Sequence, residues 1–332
     1  MRGFIFAAGY GRRLEPFTTR VPKPLMPVLN TPIIIYNILL LAHFGIKKIG
    51  INLHHLGPQI QSFLGTGEQF GVELHYSHEE EILGTGGGVK YAEDFFSEPT
   101  IIINGDVIID LDIQKLIDAH ETTQSIATMV LRKDPKQDEF GTLGLNTQNQ
   151  VIRILDKSIG GQEHAAYMFS GAQIIEPEFL KFLPEKTPAC IVRHGYQHLL
   201  ELNTAFHGFV HQGCWADTGT PERYLRIQYE LLQKEQTLHF VEALKNNNQE
   251  KFKAYFSYLQ RKDAQLLIAP NAQISSSATL KGCCIIGPNT TIEDNATLEN
   301  VVLLEDAIVK EKTSIKNALA DAYDIKTVSQ VH

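Results

Sequence analysis

A six-residue period near the end of the chain leaves few folds open to it. Ile268, Ile274, Leu280, Ile286, Ile292, Leu298 and Leu304 recur at intervals of six. Ala272, Ala278, Cys284, Thr290 and Ala296, all small, follow the first five of them by four positions. A helix repeats every 3.6 residues and a flat strand every two, so neither produces this spacing. A parallel β-helix with three-sided coils does, because each six-residue side turns one aliphatic residue inward. Seven such positions make little more than two coils. A stack that short buries little by itself and is expected to dock on another part of the chain or on another subunit.

Upstream the pattern is that of an α/β protein. Short runs rich in β-branched and aromatic residues at Gly3–Ala8, Lys48–Leu53, Val72–Tyr76, Thr100–Ile103 and Ser125–Leu131 predict strands. Helical patterns near 32–44, 57–64, 86–96 and 112–121 lie between them. Pro32 falls in a first helical turn and Gly45 just past a last one, as those residues should. Such alternation predicts parallel strands with right-handed crossovers and a sheet covered on both faces. From 140 to 220 the order loosens, with strands predicted at 141–146, 151–155, 168–175 and 206–211 and helices near 176–183 and 191–201. Pro221 then opens a helix that runs to Glu235, with Tyr224, Ile227, Leu231 and Leu232 on one face. Asn246-Asn247-Asn248 reads as a linker, and a further helical piece is expected over 249–261. The expected division is a domain over 1–235, a helical linker over 236–265 and the six-residue array over 266–332.

Composition narrows the function classes. In 332 residues the net charge is −8, so no global basic field suits nucleic acid, and an anionic substrate needs a local cluster of cations. Cys190, Cys214, Cys283 and Cys284 form no CxxC pair, and adjacent cysteines make a poor disulfide, which fits a reducing, cytoplasmic setting. The apolar run at the start is too short for a signal peptide, and no stretch approaches the ~20 apolar residues of a membrane span. The thirteen histidines show no metal-ligand spacing; His54 and His55 are adjacent and read as structural.

The local cations stand near the start. The apolar run Phe4 to Ala8 ends in Gly9-Tyr10-Gly11, then Arg12, Arg13 and Leu14, and Lys23 follows in Pro22-Lys23-Pro24. Gly9-x-Gly11 alone is either a tight turn or a nucleotide loop. A dinucleotide fingerprint wants glycine where Leu14 stands, and the P-loop pattern is absent, so a nicotinamide-dependent oxidoreductase is disfavoured. Glycine amides can form an anion nest, to which the arginines and lysine add charge-assisted bonds. Ala7-Ala8-Gly9-Tyr10-Gly11-Arg12-Arg13-Leu14 with Pro22-Lys23-Pro24-Leu25-Met26-Pro27-Val28 resembles the signature of the sugar-1-phosphate nucleotidylyltransferases, GxGxRL followed by a lysine in PKP. The resemblance covers about 1–235. It implies that Ala8, Gly9, Gly11, Arg13 and Lys23 bind a nucleoside triphosphate, with Arg13 and Lys23 assisting pyrophosphate departure.

Further motifs follow in the order that family has. Gly84-Thr85-Gly86-Gly87-Gly88 alone is a flexible loop or a place for a flat base against the backbone. With Tyr76 to Leu83 before it, the run resembles the family's base-binding segment, nearest the mannose-1-phosphate guanylyltransferase and N-acetylmuramate-1-phosphate uridylyltransferase branches. Asn104-Gly105-Asp106, after an apolar strand, is a common turn or a ligand site at a strand's carboxyl end. It resembles the family's NGD, whose aspartate binds Mg²⁺. Trp215-Ala-Asp217-Thr-Gly219-Thr-Pro-Glu222 matches W-x-D-x-G-T-P-E, which implies Asp217 as the second metal ligand. Phe169-Ser-Gly171 resembles a sugar-pocket segment. The family's Glu-Lys-Pro stands here as Asp156-Lys157-Ser158, keeping the cation of Lys157 but shortening the carboxylate and losing the proline.

The resemblance therefore implies an α/β, Rossmann-like nucleotidyltransferase (GT-A-like) mixed sheet with a short C-terminal left-handed parallel β-helix. It implies an enzyme that joins an NTP and a sugar 1-phosphate, with Mg²⁺ as cofactor, neither nucleic acid nor membrane as partner, and a homo-oligomer formed through the β-helix or the catalytic domain. A mannose-1-phosphate guanylyltransferase-like activity leads, with a uridylyltransferase as alternative. Relatives that serve as non-catalytic regulatory subunits usually lose the Arg, Lys or Asp positions, all of which this chain keeps. A second, acyltransferase activity on the β-helix is rejected, since residues 240–331 contain no histidine for a general base.

Overall fold

The computed structural model describes residues 1–134, 139, 141–185, 187–246 and 265–329. The helix expected over 249–261 and most of the Asn246–Asn248 linker lie outside them. The chain forms two compact units, one of Met1–Gly9 with Asn37–Trp215 and the other of Tyr10–Tyr36 with Ala216–His332.

The first unit is built on a mixed sheet. Strand β1 (Arg2–Phe6) lies between β2 (Lys48–Leu53) and β4 (Thr100–Asn104), parallel to both, and β3 (Glu73–His78) extends the parallel set beyond β2. Phe4, Ile5, Ile49, Ile51 and Ile101 to Ile103 are all buried, as central parallel strands covered on both faces require. Between the strands run α1 (Ile33–His43), α2 (Gly57–Leu64), α3 (Gly84–Tyr91) and α4 (Ile113–Thr123). Helix α1 is apolar nearly all round and correspondingly buried. Asp112 caps α4 by accepting the amide of Lys115.

Beyond β4 the parallel expectation stops. The long strand β8 (Ala165–Ile175) runs antiparallel to β4, to β5 (Ala127–Arg132) and to β6 (Thr142–Leu145). Strand β7 (Val151–Ile154) hairpins onto β6, and β9 (His207–Val210) returns parallel to β5. A shift in register between Phe169 and Gln173 lets β8 serve three partners. Phe4, Ile102, Met129, Leu131, Phe179, Tyr196 and Phe206 contribute to a core cluster of this unit.

In the second unit, β10 (Trp215–Asp217) leads into α5 (Pro221–Gln233) and then α6 (His239–Asn246). Thr220 caps α5 by accepting the amide of Arg223, and Pro221 takes the first helical position, where no donor is missed. Helix α5 holds the segment before α1: Gln228 accepts the Leu29 amide, and the Tyr224 hydroxyl donates to the Pro27 carbonyl.

The C-terminal residues form short strands in two further sheets. Leu266–Ile268, Thr279–Ile286, Thr297–Leu303 and Ser314–Ala320 stack in parallel in one, and Gln273–Ile274, Thr291–Ile292 and Ile308–Val309 in the other. Partners are first eighteen residues apart, as Leu266 and Cys284, and later seventeen, as Thr297 and Ser314. The six-residue reading therefore loses its phase. Ile286, Ile292 and Leu298 are buried as predicted, but Leu303, not Leu304, stands opposite Ile286. The cause is a bulge between Lys281 and Cys284, where Gly282 takes a positive φ against Asn300. Ile268, at the open first strand, is 41% exposed instead of inward. Among the described residues no helix is long and apolar enough to cross a membrane.

Candidate active site

The second unit gathers the predicted phosphate-loop cations. Gly11 has φ of 70°, left-handed backbone that suits glycine, and precedes the short turn Arg12–Leu14, which carries Arg13. The Thr18 hydroxyl donates to the Gly11 carbonyl at 3.0 Å and fixes the bend. Lys23 opens a second short turn and is only 5% exposed, so its charge needs compensation. Asp217 supplies part of it, with Oδ1 3.9 Å from Lys23 Nζ. Asp217 is itself buried, and its Oδ2 accepts from Arg223 Nη1 at 2.5 Å. Arg13 joins the group over Gly219: a Cβ built on that glycine would lie 2.7 Å from both Arg13 Nη2 and Asp217 Oδ1.

Arg13, Lys23 and Arg223 thus gather around Asp217, a local cluster of cations in a chain whose net charge is −8. Such a cluster can hold a polyphosphate and stabilise charge that builds on it. Arg223 was not singled out from the sequence. Its signal was present, since the third residue after a helix cap points back toward the preceding loop.

The first unit carries the other predicted residues. Asp106 follows β4 and is half-buried, and Gly105 before it passes close to β1, donating its amide to the Phe6 carbonyl at 2.9 Å. Ala8 is buried and Gly9 exposed just beyond β1. Gly171 interrupts β8 with φ of 83°, and a Cβ there would lie 2.6 Å from Asn104 Nδ2. The adjoining Ser170 carbonyl accepts from Trp215 Nε1 at 2.7 Å.

The glycine run differs from an open loop. Gly84–Tyr91 is helix α3, and the amides of Gly86 and Gly87 both donate to the Ala189 carbonyl. The glycines let α3 sit against the backbone of 187–191: a Cβ on Gly87 would lie 2.8 Å from the Thr187 carbonyl oxygen. Gly84, at the start of α3, is exposed, although a Cβ there would lie 2.7 Å from the Ala189 carbonyl oxygen, and Thr85 Oγ1 accepts from the Ile191 amide.

Beside α3 lies a network that sequence reading missed. Asn52 accepts the Ala7 amide at 2.8 Å and donates to Glu79 Oε1 at 2.7 Å, and Glu79 Oε2 accepts the Leu83 amide. It ties the end of β1 to the segment before α3. No spacing in the chain announces it, because the partners lie on different strands. His54, read as structural, contacts the Glu79 carbonyl through Nδ1.

On the sugar side, exposed Lys157 pairs with Glu201 at 2.9 Å, which raises the lysine pKa through that bond. Asp156 Oδ1 accepts from Gln197 Nε2 at 3.3 Å. A phosphate at Lys157 must share this cation with Glu201 or displace the carboxylate.

The nucleotidyl transferase family model matches residues 2–234. The chain belongs to the nucleotidyl transferase family. Among its relatives, a mannose-1-phosphate guanyltransferase of Debaryomyces hansenii is 32% identical over 234 residues, covering 68% of this chain and 63% of that protein. A UTP–glucose-1-phosphate uridylyltransferase of Synechocystis is 26% identical over 249 residues, covering 71% and 64%. The chain therefore spans under two thirds of the length of these curated relatives. The crystal structure of HddC from Yersinia pseudotuberculosis superposes with a TM-score of 0.58 at 24% identity, covering 69% of this chain and 99% of that one, a likeness of fold. The resemblance to sugar-1-phosphate nucleotidylyltransferases is thus borne out at family level. In this nucleotidyl transferase the C-terminal strands lie beyond the matched residues.

Proposed function

We propose that the protein joins a nucleoside triphosphate to a sugar 1-phosphate, releasing pyrophosphate and a nucleotide-sugar. The observation that carries this is the convergence of Arg13 and Lys23 on Asp217, with Gly219 beside it, in a chain of this family. A phosphate oxygen of the sugar substrate attacks the α-phosphorus and pyrophosphate leaves opposite. The nucleophile is already anionic, so the protein's task is positioning and charge stabilisation, without a general base. Arg13 and Lys23 stabilise the leaving pyrophosphate. Ala8, Gly9, Gly11, Gly84, Thr85 and Gly86 bound the nucleotide, Gly86 by its shape, since its amide is engaged by Ala189. Lys157, Asp156 and Gly171 orient the sugar phosphate.

The donors suit a hard cation. By the family resemblance the carboxylates are Asp106 and Asp217, oxygen donors of the kind Mg²⁺ prefers. These two would hold Mg²⁺, which when bound neutralises charge on the reacting phosphates. Asp106→Ala should lower turnover at least about a thousandfold while circular dichroism stays unchanged. A variant with near-normal rates would remove Asp106 from the site.

GTP with mannose 1-phosphate is the leading pair, supported by guanyltransferase relatives at about 30% identity. The Synechocystis uridylyltransferase keeps a uridylyl alternative, including N-acetylmuramate 1-phosphate as acceptor. Pyrophosphate release, followed across four NTPs and a set of sugar 1-phosphates with Mg²⁺, decides the matter. No turnover with any pair would overturn the enzyme reading in favour of a non-catalytic subunit.

We read 1–235 as the catalytic domain, 236–265 as a linker and 266–332 as a left-handed parallel β-helix. Strand partners seventeen or eighteen residues apart support the last reading, as do left-handed backbone conformations at Asn289, Asn295, Asn300, Asp306, Lys312 and Asn317. This part is assigned to assembly of a homo-oligomer or to regulation, and the cysteine pattern supports a cytoplasmic enzyme.

A further inference from the structure

Between Arg13 and Lys23 the loop carries another arginine, whose partners lie 301 and 304 residues further along the chain. Arg20 Nη2 donates to Asp321 Oδ2 at 2.6 Å and to Asp324 Oδ2 at 2.7 Å, and its guanidinium lies 4.9 Å from the centre of the Tyr323 ring. All of these groups belong to the second unit. The acceptors are set in advance by their own turn. Asp321 Oδ1 accepts the amides of Tyr323 and Asp324, both at 2.8 Å, and the Asp321 amide donates to the Asp324 carbonyl.

An exposed ion pair is ordinarily worth little. Here one guanidinium meets two carboxylates, one of them with only 13% of its side chain exposed, and covers an aromatic face besides. On the loop side the Arg20 amide donates to the Phe17 carbonyl, so Arg20 closes the turn that presents Thr18. Thr18 in turn holds the Gly11 carbonyl and fills the space where a Gly11 Cβ would stand. Past Lys23, Asn30 Nδ2 donates to the Ile286 carbonyl at 3.1 Å. The second half of the loop and the segment just past it are therefore tied to the C-terminal part, at Arg20 and at Asn30.

We propose that Arg20 is a positioning residue through which the turn 321–324 sets the shape of the Gly11–Lys23 loop, and with it the affinity for the triphosphate. The inference rests on reading that loop as the triphosphate site. Arg20 touches no reacting atom; it acts through Thr18 and Gly11. The C-terminal strands thus take part in nucleotide binding from a distance, and anything that moves the 321–324 turn alters triphosphate affinity ahead of sugar affinity.

Two measurements on the full chain test this. Hydrogen exchange of the peptide spanning residues 10–20, without substrates, reads the anchor directly. It should quicken in Arg20→Ala and in the pair Asp321→Asn with Asp324→Asn, and no further when all three are combined. Steady-state pyrophosphate release, with mannose 1-phosphate and whichever of GTP or UTP turns over, reads the consequence. KM for the triphosphate should rise about tenfold in both variants while KM for mannose 1-phosphate stays unchanged, with Arg20→Lys recovering part of the loss. Unchanged exchange, additive effects, or an equal rise in both KM values would overturn the proposal. Exchange that responds as stated in a wild-type chain that turns over no pair would establish the anchor and overturn the assignment of the loop.

Discussion

Gly219 leaves no room for a side chain between Arg13 and Asp217, which ties two distant sequence motifs to one point. Gly219→Ala should therefore cut turnover about a hundredfold by pushing either group aside, with little change in melting temperature. A normal rate in that variant would separate Arg13 from the reaction. A second residue-scale prediction concerns acid stability. Arg153 grips Glu163 with two bonds, Nε to Oε2 at 2.8 Å and Nη2 to Oε1 at 2.9 Å, and this holds the carboxyl pKa below its ordinary value. A lowered folded-state pKa stabilises the fold above the unfolded carboxyl's pKa and is lost as pH falls through the folded one. Glu163→Gln should cost about 0.5–1 kcal/mol at pH 7 by urea denaturation, and the difference from wild type should fade as the pH falls through the lowered folded-state pKa. Arg13, Lys23 and Asp217 could be singled out from the sequence because their motifs are local. Arg223, Asn52 and Glu79 were not, because their partners are set by helix direction and strand order.

At the scale of elements, the alternation of apolar runs located β1 to β4, α1 and α2 to within two residues, while the helix expected over 86–96 is found at Gly84–Tyr91. Strand direction was less accessible: β8 looked like any other apolar run, and only its neighbours make it antiparallel. Helix α3 shows a second limit. Glycine-rich sequence argues against helix by about 1 kcal/mol per residue, yet packing on 187–191 overrides it. Gly87→Ala, which gains that propensity, should still destabilise the protein by about 1–3 kcal/mol, because the added Cβ meets the Thr187 carbonyl. Stabilisation in a urea titration would mean that segment 187–191 yields. In the C-terminal sheets, Asn300 accepts the Cys283 amide and donates to Asn317 from a left-handed backbone. Asn300→Ala should cost about 1–3 kcal/mol through the orphaned amide and the strained φ.

For the whole molecule, the second unit joins residues from both ends of the chain. The loop 10–36, helix α5 and the C-terminal strands lie in one compact body, and α5 packs against Ser314–Ala320. A chain ending at Asn246 loses the partners of Arg20 and Asn30 along with that packing. It should melt several degrees lower, roughly 5 °C or more, and bind the triphosphate more weakly by calorimetry. Unaltered melting and binding would show the C-terminal strands to be dispensable to the loop.

The glycine and arginine loop Gly9 to Lys23, the aspartate motifs and the C-terminal period were legible in the chain alone, since each is a short pattern that can be read without knowing its distant partners. The bulge at Gly282 that shifts the period by one residue, the packing of the glycine run against 187–191, and the arginines that grip Asp217 and Asp321 were decided by tertiary structure. Each depends on which backbone or charge arrives from elsewhere in the chain, and that is a property of packing rather than of neighbouring residues.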